Sequence, residues 1–208
     1  VNLVSIKLLR EMGISDTQNF LTKFGFDKSR LAPDLSLALG SSSFSPAEMV
    51  RAYSILVNFE NPKNPFFIDR ILDRNGNIIF KHSGSIEDNN LEDSADAFPW
   101  FQTEIADEIK PFTLFPPLSI ISDPIDSRAA FITKDILREA LRRGSNARQV
   151  SVLQRDDIAG KTGTTNNAIS TWFSGFHNNL ATTVWVGTDD FSSLGDNEFG
   201  SSIALPTW

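Results

Sequence analysis

The chain has 208 residues, 40% of them apolar and 22% charged, a balance that suits a soluble globular protein with a sizeable core and excludes wholesale disorder. A formal net charge of -7 leaves no basic face for nucleic acid, so nucleic acid is not expected as a partner. With no cysteine, disulfide frameworks, thiolate metal sites and cysteine nucleophiles are excluded.

A helix is predicted over 1–12, with Val1, Val4, Leu8 and Met12 in one apolar stripe and Gly13 as its stop. The period starts at the first residue, which is not methionine, so the chain is expected to continue upstream. A second short helix is predicted over 16–24, and Leu35 to Gly40 is an apolar stretch entering a turn. Ser45-Pro46-Ala47-Glu48 is a strong helix start: a capping hydroxyl, a proline at the first helical position and a glutamate able to complete a capping box. Met49, Val50, Tyr53, Leu56 and Val57 form its buried stripe. Residues 68–80, with Asn75-Gly76 in the middle, read as a β-hairpin.

The segment 83–125 is acidic and punctuated by proline, and is predicted to be an irregular insertion packed on the domain. Asp126-Ser127-Arg128 then opens a helix that places Phe131, Ile132, Ile136, Leu137 and Leu141 inward and ends near Gly144. Three strands follow, over 157–164, 171–176 and 181–186, with Asn178-Asn179 turning between the last two. Helices first and a short antiparallel meander last imply an α+β fold, helices packed on an antiparallel sheet. No apolar run approaches the roughly 20 residues of a membrane span. His82 and His177 lack metal-ligand spacing and read as surface or loop residues, and no cofactor or metal is called for.

The most informative string is Gly160-Lys161-Thr162-Gly163-Thr164-Thr165. A phosphate-binding loop would need glycine at position 155, where Arg155 stands, and a helix rather than a strand afterwards. That reading fails twice. Lys-Thr-Gly is instead one of the motifs of penicillin-binding proteins and serine β-lactamases. On an edge strand its residue types make chemical sense. A peptide can add as a strand through main-chain hydrogen bonds, and Gly163 removes the side chain where that backbone approaches. Thr162 and Thr164 offer hydroxyl donors on one strand face for a carboxylate, Lys161 supplies positive charge, and the Thr164 amide suits an oxyanion hole. Alone the tripeptide is a weak signal, and a strand-end glycine is the bland explanation. The surroundings raise it.

Residues 157–166, Thr171-Trp172-Phe173-Ser174-Gly175-Phe176 and Thr183-Val184-Trp185-Val186-Gly187 resemble the C-terminal sheet of class A penicillin-binding proteins, the bifunctional peptidoglycan synthases. Arg128 to Gly144 resembles the helix before that sheet, residues 1–9 the helix that opens with the family's Ser-x-Asn motif, and Ala204 to Trp208 the segment leading into the last helix. The resemblance runs end to end and is weakest across 83–125. It implies a penicillin-binding/serine β-lactamase-like fold truncated at both ends, with residues 1–208 a partial transpeptidase domain.

The resemblance also implies roles. Asn2 and Lys161 would be catalytic, with Asn2 orienting the substrate and the missing groups. Thr162, Gly163 and Thr164 would bind the substrate carboxylate and shape the oxyanion site. The expected partners are peptidoglycan stem peptides ending in D-Ala-D-Ala, β-lactams, and the remainder of the same protein: an upstream serine-bearing segment, a glycosyltransferase domain and a membrane anchor on the periplasmic side of the bacterial inner membrane. The family's Ser-x-x-Lys is absent, since none of the eight lysines has serine three residues earlier, and the serine of Ser-x-Asn would fall just before Val1. The chain alone is therefore expected to be inactive and, with strand edges unpaired, marginally stable. A β-lactamase or carboxypeptidase, or a non-catalytic sensor or scaffold of the same fold, remains the alternative; the Thr-Trp-Phe-Ser-Gly-Phe strand and the long insertion favour the transpeptidase.

Overall fold

The computed structural model describes residues 2–58, 66–81, 125–144, 147–178 and 180–208. Val1, His82, Asn179 and the predicted insertion up to residue 124 lie outside them. The chain forms two compact units, 63–117 and the remainder.

In the smaller unit, β1 (Arg70–Leu72) and β2 (Ile78–Lys81) pair antiparallel, as the hairpin signal predicts. The turn is closed by Asp73, whose Oδ1 accepts from the amides of Asn75 (2.7 Å) and Asn77 (2.8 Å), while Gly76 takes the left-handed φ of 88° that the turn requires.

The larger unit begins with α1 (Asn2–Met12) and α2 (Ile14–Thr22), separated by Gly13. α3 (Pro46–Val57) starts on the predicted capping box: Glu48 N–H donates to Ser45 Oγ (3.3 Å) and Ser45 N–H donates to Glu48 Oε2 (2.8 Å). α4 (Ser127–Arg143) is capped by Asp126, which accepts from the amides of Arg128 and Ala129. The short α5 (Ala147–Ser151) leads to β3 (Ala159–Thr164), β4 (Ser170–His177) and β5 (Leu180–Gly187), and α6 (Ala204–Thr207) closes the chain. The sheet order is β3-β4-β5, all antiparallel, within two residues of the predicted strand boundaries.

Alternation along these strands divides the sheet into two packed faces. On one, Ala159 and Phe176 meet Leu56 of α3, with Phe24, Tyr53, Val57, Leu137 and Ala181 partly buried around them. On the other, the fully buried Phe173 meets Leu141, Val150, Ile158, Ala204 and Leu205, and the Trp208 ring stands edge-on to it at 5.0 Å. α4 gives Leu137 to the first cluster and Leu141 to the second, so it straddles the start of β3. Burying a phenylalanine fully contributes about 1.5–3 kcal/mol, which makes Phe173 one of the larger single contributors to this unit.

The helices are rotated from the sequence expectation. Phe131, Ile132 and Ile136 of α4 point outward (71%, 56% and 61% exposed), while Ala130 and Leu141 are buried. The inward stripe is Ala130-Lys134-Leu137-Leu141. Lys134 belongs to it because its stem crosses the interface and its ammonium donates to Val57 O (3.0 Å), the final carbonyl of α3. In α1, Leu9 is buried, and the predicted stripe residues Val4, Leu8 and Met12 are exposed. In α3, Ala52 and Ile55 join Leu56 in the core, whereas Met49, Val50, Tyr53 and Val57 are half-buried.

Candidate active site

β3 is the outermost strand of the sheet, and among the described residues no strand pairs with its outer side. The ladder fixes which groups face outward. Thr165 N–H donates to Ser170 O (3.1 Å), extending the β3–β4 register by one pair. Main-chain groups alternate sides along an antiparallel strand, so Lys161 and Gly163 face β4 while the N–H and C=O of Thr162 and Thr164 point to the open edge. Burial changes at the same place. Ala159 and Gly160 are buried, Lys161 and Thr164 are exposed, and Thr162 and Gly163 are intermediate.

Side chains follow the same alternation. The Lys161 ammonium folds over the edge and donates to Thr162 O (2.8 Å). Thr162 and Thr164 share the face of Phe173, as the sequence requires for two hydroxyls on one side. Gly163 lies opposite Trp172, and a Cβ there would stand 3.2 Å from the Trp172 Cβ. Thr164 Oγ1 accepts from Gly200 N–H (3.0 Å).

Gly200 reaches that position through a tethered loop. Thr188 Oγ1 donates to Ser192 O (3.1 Å), Ser193 Oγ to Asn167 O (2.7 Å), and Leu194 N–H to Ala168 O (2.9 Å), which ties residues 188–200 to the β3–β4 turn. Asp190 stabilises the bend: the Ser192 N–H that it accepts holds its carboxyl below the usual carboxylate range. Sequence reading overlooked Gly200. Its only signal is a lone glycine four residues before the Ala204–Trp208 segment, and nothing local links it to β3.

The edge thus offers an outward amide for an oxyanion or a peptide carbonyl, an outward carbonyl that already accepts from the Lys161 ammonium, that ammonium for an anion, and a hydroxyl held at its acceptor side. Lys161, Thr162, Gly163 and Thr164 are brought together on one strand. Asn2 is exposed in the first turn of α1, which packs on α2 and the Leu35–Leu39 turn. His177 lies at the far end of β4, 4.0 Å from Asp157, whose carboxyl the Arg155 guanidinium holds below its usual range. A cleft of about 290 Å³ opens there, lined in part by Val57, Lys134, Arg138, Asp157 and Phe176. It includes no residue of the Lys161–Thr164 edge, so this cleft and the motif chemistry lie toward opposite ends of β3. The motif end carries the outward main-chain groups. No cluster of side chains suited to a metal ion occurs among the described residues, and no helix among them is long and apolar enough to cross a membrane.

Residues 1–189 match the penicillin binding protein transpeptidase domain. The chain is 34% identical to penicillin-binding protein 1A of Pseudomonas aeruginosa, covering 100% of this chain and 27% of that protein. It is 32% identical to penicillin-binding protein 1A of Neisseria gonorrhoeae, covering 22% of it. The crystal structure of penicillin-binding protein 1A from Haemophilus influenzae superposes with a TM-score of 0.75 at 32% identity, over 100% of this chain and 31% of that one. A mycobacterial penicillin-binding protein, at 18% identity and a TM-score of 0.59, shares the fold. The chain spans about a quarter of the length of the curated relatives it matches. The α+β, penicillin-binding fold expected from the sequence is the fold found, and the chain belongs to the penicillin-binding protein transpeptidase family.

Proposed function

We propose that this chain supplies the substrate-binding edge of a serine-type D,D-transpeptidase that crosslinks peptidoglycan stem peptides, within a longer protein whose upstream part carries the nucleophile. The observation that carries the reading is the open edge of β3, where the Thr164 amide and Thr162 carbonyl face outward beside the Lys161 ammonium. A stem peptide adds there as a strand. Its terminal carboxylate meets Lys161 and the hydroxyls of Thr162 and Thr164, and the Thr164 amide meets the oxygen on which charge develops.

The reaction runs in two acyl transfers. The oxygen of the upstream serine attacks the penultimate D-Ala carbonyl carbon, the peptide C–N bond breaks, and the terminal D-Ala leaves as an amine carrying the serine's proton. An amine of a neighbouring stem then attacks the ester carbonyl. The new amide forms, and the serine oxygen recovers a proton from that amine. A β-lactam acylates the same serine, and its ring opening leaves no departing fragment. Asn2 is assigned to orienting the substrate beside the serine and lysine of the upstream segment. The protein would work at the outer face of the bacterial inner membrane, anchored by a segment outside this chain.

Intact-mass measurement of labelling by a fluorescent penicillin tests the reading. The chain alone is expected to stay unlabelled, and a version extended upstream through its Ser-x-x-Lys is expected to gain one penicillin mass. A folded extended protein that takes up no penicillin would leave a scaffold of this fold. Labelling of the short chain would place a nucleophile within the 208 residues.

A further inference from the structure

Thr164 is held from an unexpected direction. Its Oγ1 accepts from the main-chain N–H of Gly200, 36 residues away, at 3.0 Å. A hydroxyl has one proton to give and two lone pairs to receive with. Gly200 fills an acceptor direction, and because Thr164 is exposed its proton is left to be given outward, at the open edge. Accepting one hydrogen bond also polarises a hydroxyl and strengthens the one it donates.

The donor is itself fixed. Gly200 O accepts from Leu205 N–H (2.8 Å), and Leu205 packs in the cluster around Phe173. Only glycine fits. A Cβ at 200 would stand 2.5 Å from Trp172 O, 2.7 Å from Gly163 O and 3.1 Å from Thr162 Cβ. Gly163 and Trp172 are ladder partners, so their carbonyls cannot yield without opening the β3–β4 pairing. Any side chain at 200 therefore lifts the segment off β3 and takes the amide away from Thr164.

We infer that Gly200 is a positioning residue: its amide orients the Thr164 hydroxyl to donate to the carboxylate of the acyl donor. The inference rests on the reading of β3 as the substrate edge. A purely structural glycine would affect all ligands alike, whereas a positioning one acts only where a carboxylate is present.

The test is carried out on the full-length protein. Acylation rates are measured for benzylpenicillin and for its methyl ester in the wild type, Gly200→Ala, Thr164→Val and the double variant. The expected result is that the acid-to-ester rate ratio falls about tenfold in each single variant, the loss of one hydrogen bond to a charged group, and falls no further in the double. A ratio unchanged in Gly200→Ala, or losses that multiply, would overturn the inference while leaving the transpeptidase reading intact. A wild type acylated by neither ligand would sink both. If Gly200→Ala does not fold, hydrogen exchange at the Gly200 amide decides. Thr164→Ser should keep the wild-type protection and Thr164→Val should lose about tenfold of it; equal exchange in the two overturns the contact.

Discussion

The two halves of β3 are built to different ends. Ala159 and Gly160 are closed in by α4 and by Phe173 and Phe176 across the sheet, so their environment is fixed by packing. From the next residue on, the same strand carries an exposed lysine and two threonines, and its neighbours are a loop amide and an indole. The first half makes the strand immovable; the second uses that rigidity to present main-chain groups at a fixed spacing. Burial and function are therefore separable by mutation along a six-residue element.

The largest effect is expected at the anchor of the covered half. Phe173→Ala should cost about 3–5 kcal/mol, read from the urea midpoint, because the ring is fully buried and its neighbours come from four different elements. The sharpest contrast lies between the two glycines. At Gly160 a methyl group would meet Phe173 Cζ at 2.7 Å, Ser174 O at 2.8 Å and Gly175 Cα at 2.9 Å. Gly160→Ala should therefore lower stability by about 1–3 kcal/mol through overpacking. Gly163→Ala meets only the Trp172 side chain and should change stability by less than about 1 kcal/mol. Its penalty appears instead in penicillin acylation of the full-length protein, reduced more than about tenfold because the methyl group stands where a ligand backbone must approach. Equal stability losses at the two positions would erase the distinction.

The smallest effect is a titration. Tyr53, the only tyrosine of the chain, is closed in beside Phe176, and burial pushes its phenol from 10.0 up to about 12. The folded state holds the proton more tightly than the unfolded one. Its contribution is thus complete below pH 10.0 and is lost as pH rises toward about 12. Phenolate absorbance should appear near the higher value in the native protein and near the lower one in denaturant. Native ionisation near the ordinary value would mean that this side of the covered half is open to water.

Local signals carried well from sequence to structure. The Ser45–Glu48 capping box, the Asn75-Gly76 turn and the three strands are all set by residues within a few positions of one another. The orientation of the helices did not carry. In α4 the large apolar residues Phe131, Ile132 and Ile136 attract an inward assignment, yet the sheet selects the stripe with the small Ala130 and the long-stemmed Lys134. A lysine that ends on another helix's carbonyl reads in sequence as a solvent residue. The motif strand was legible because Lys-Thr-Gly is contiguous. Gly200 was not, since its meaning is a close approach across 36 residues.

The register that sets Gly163 against Trp172 also sets Trp172 against Trp185, with ring centroids 6.2 Å apart and planes inclined at 55°. Two indoles so close and so inclined couple through their strong far-ultraviolet transition, so a paired circular-dichroism signal is expected there. One member of the couplet touches the only side-chain-free position of the open edge. A molecule settling on that edge would alter the angle or the polarity at Trp172, so the strand that offers the docking groups also carries an optical gauge of their occupancy.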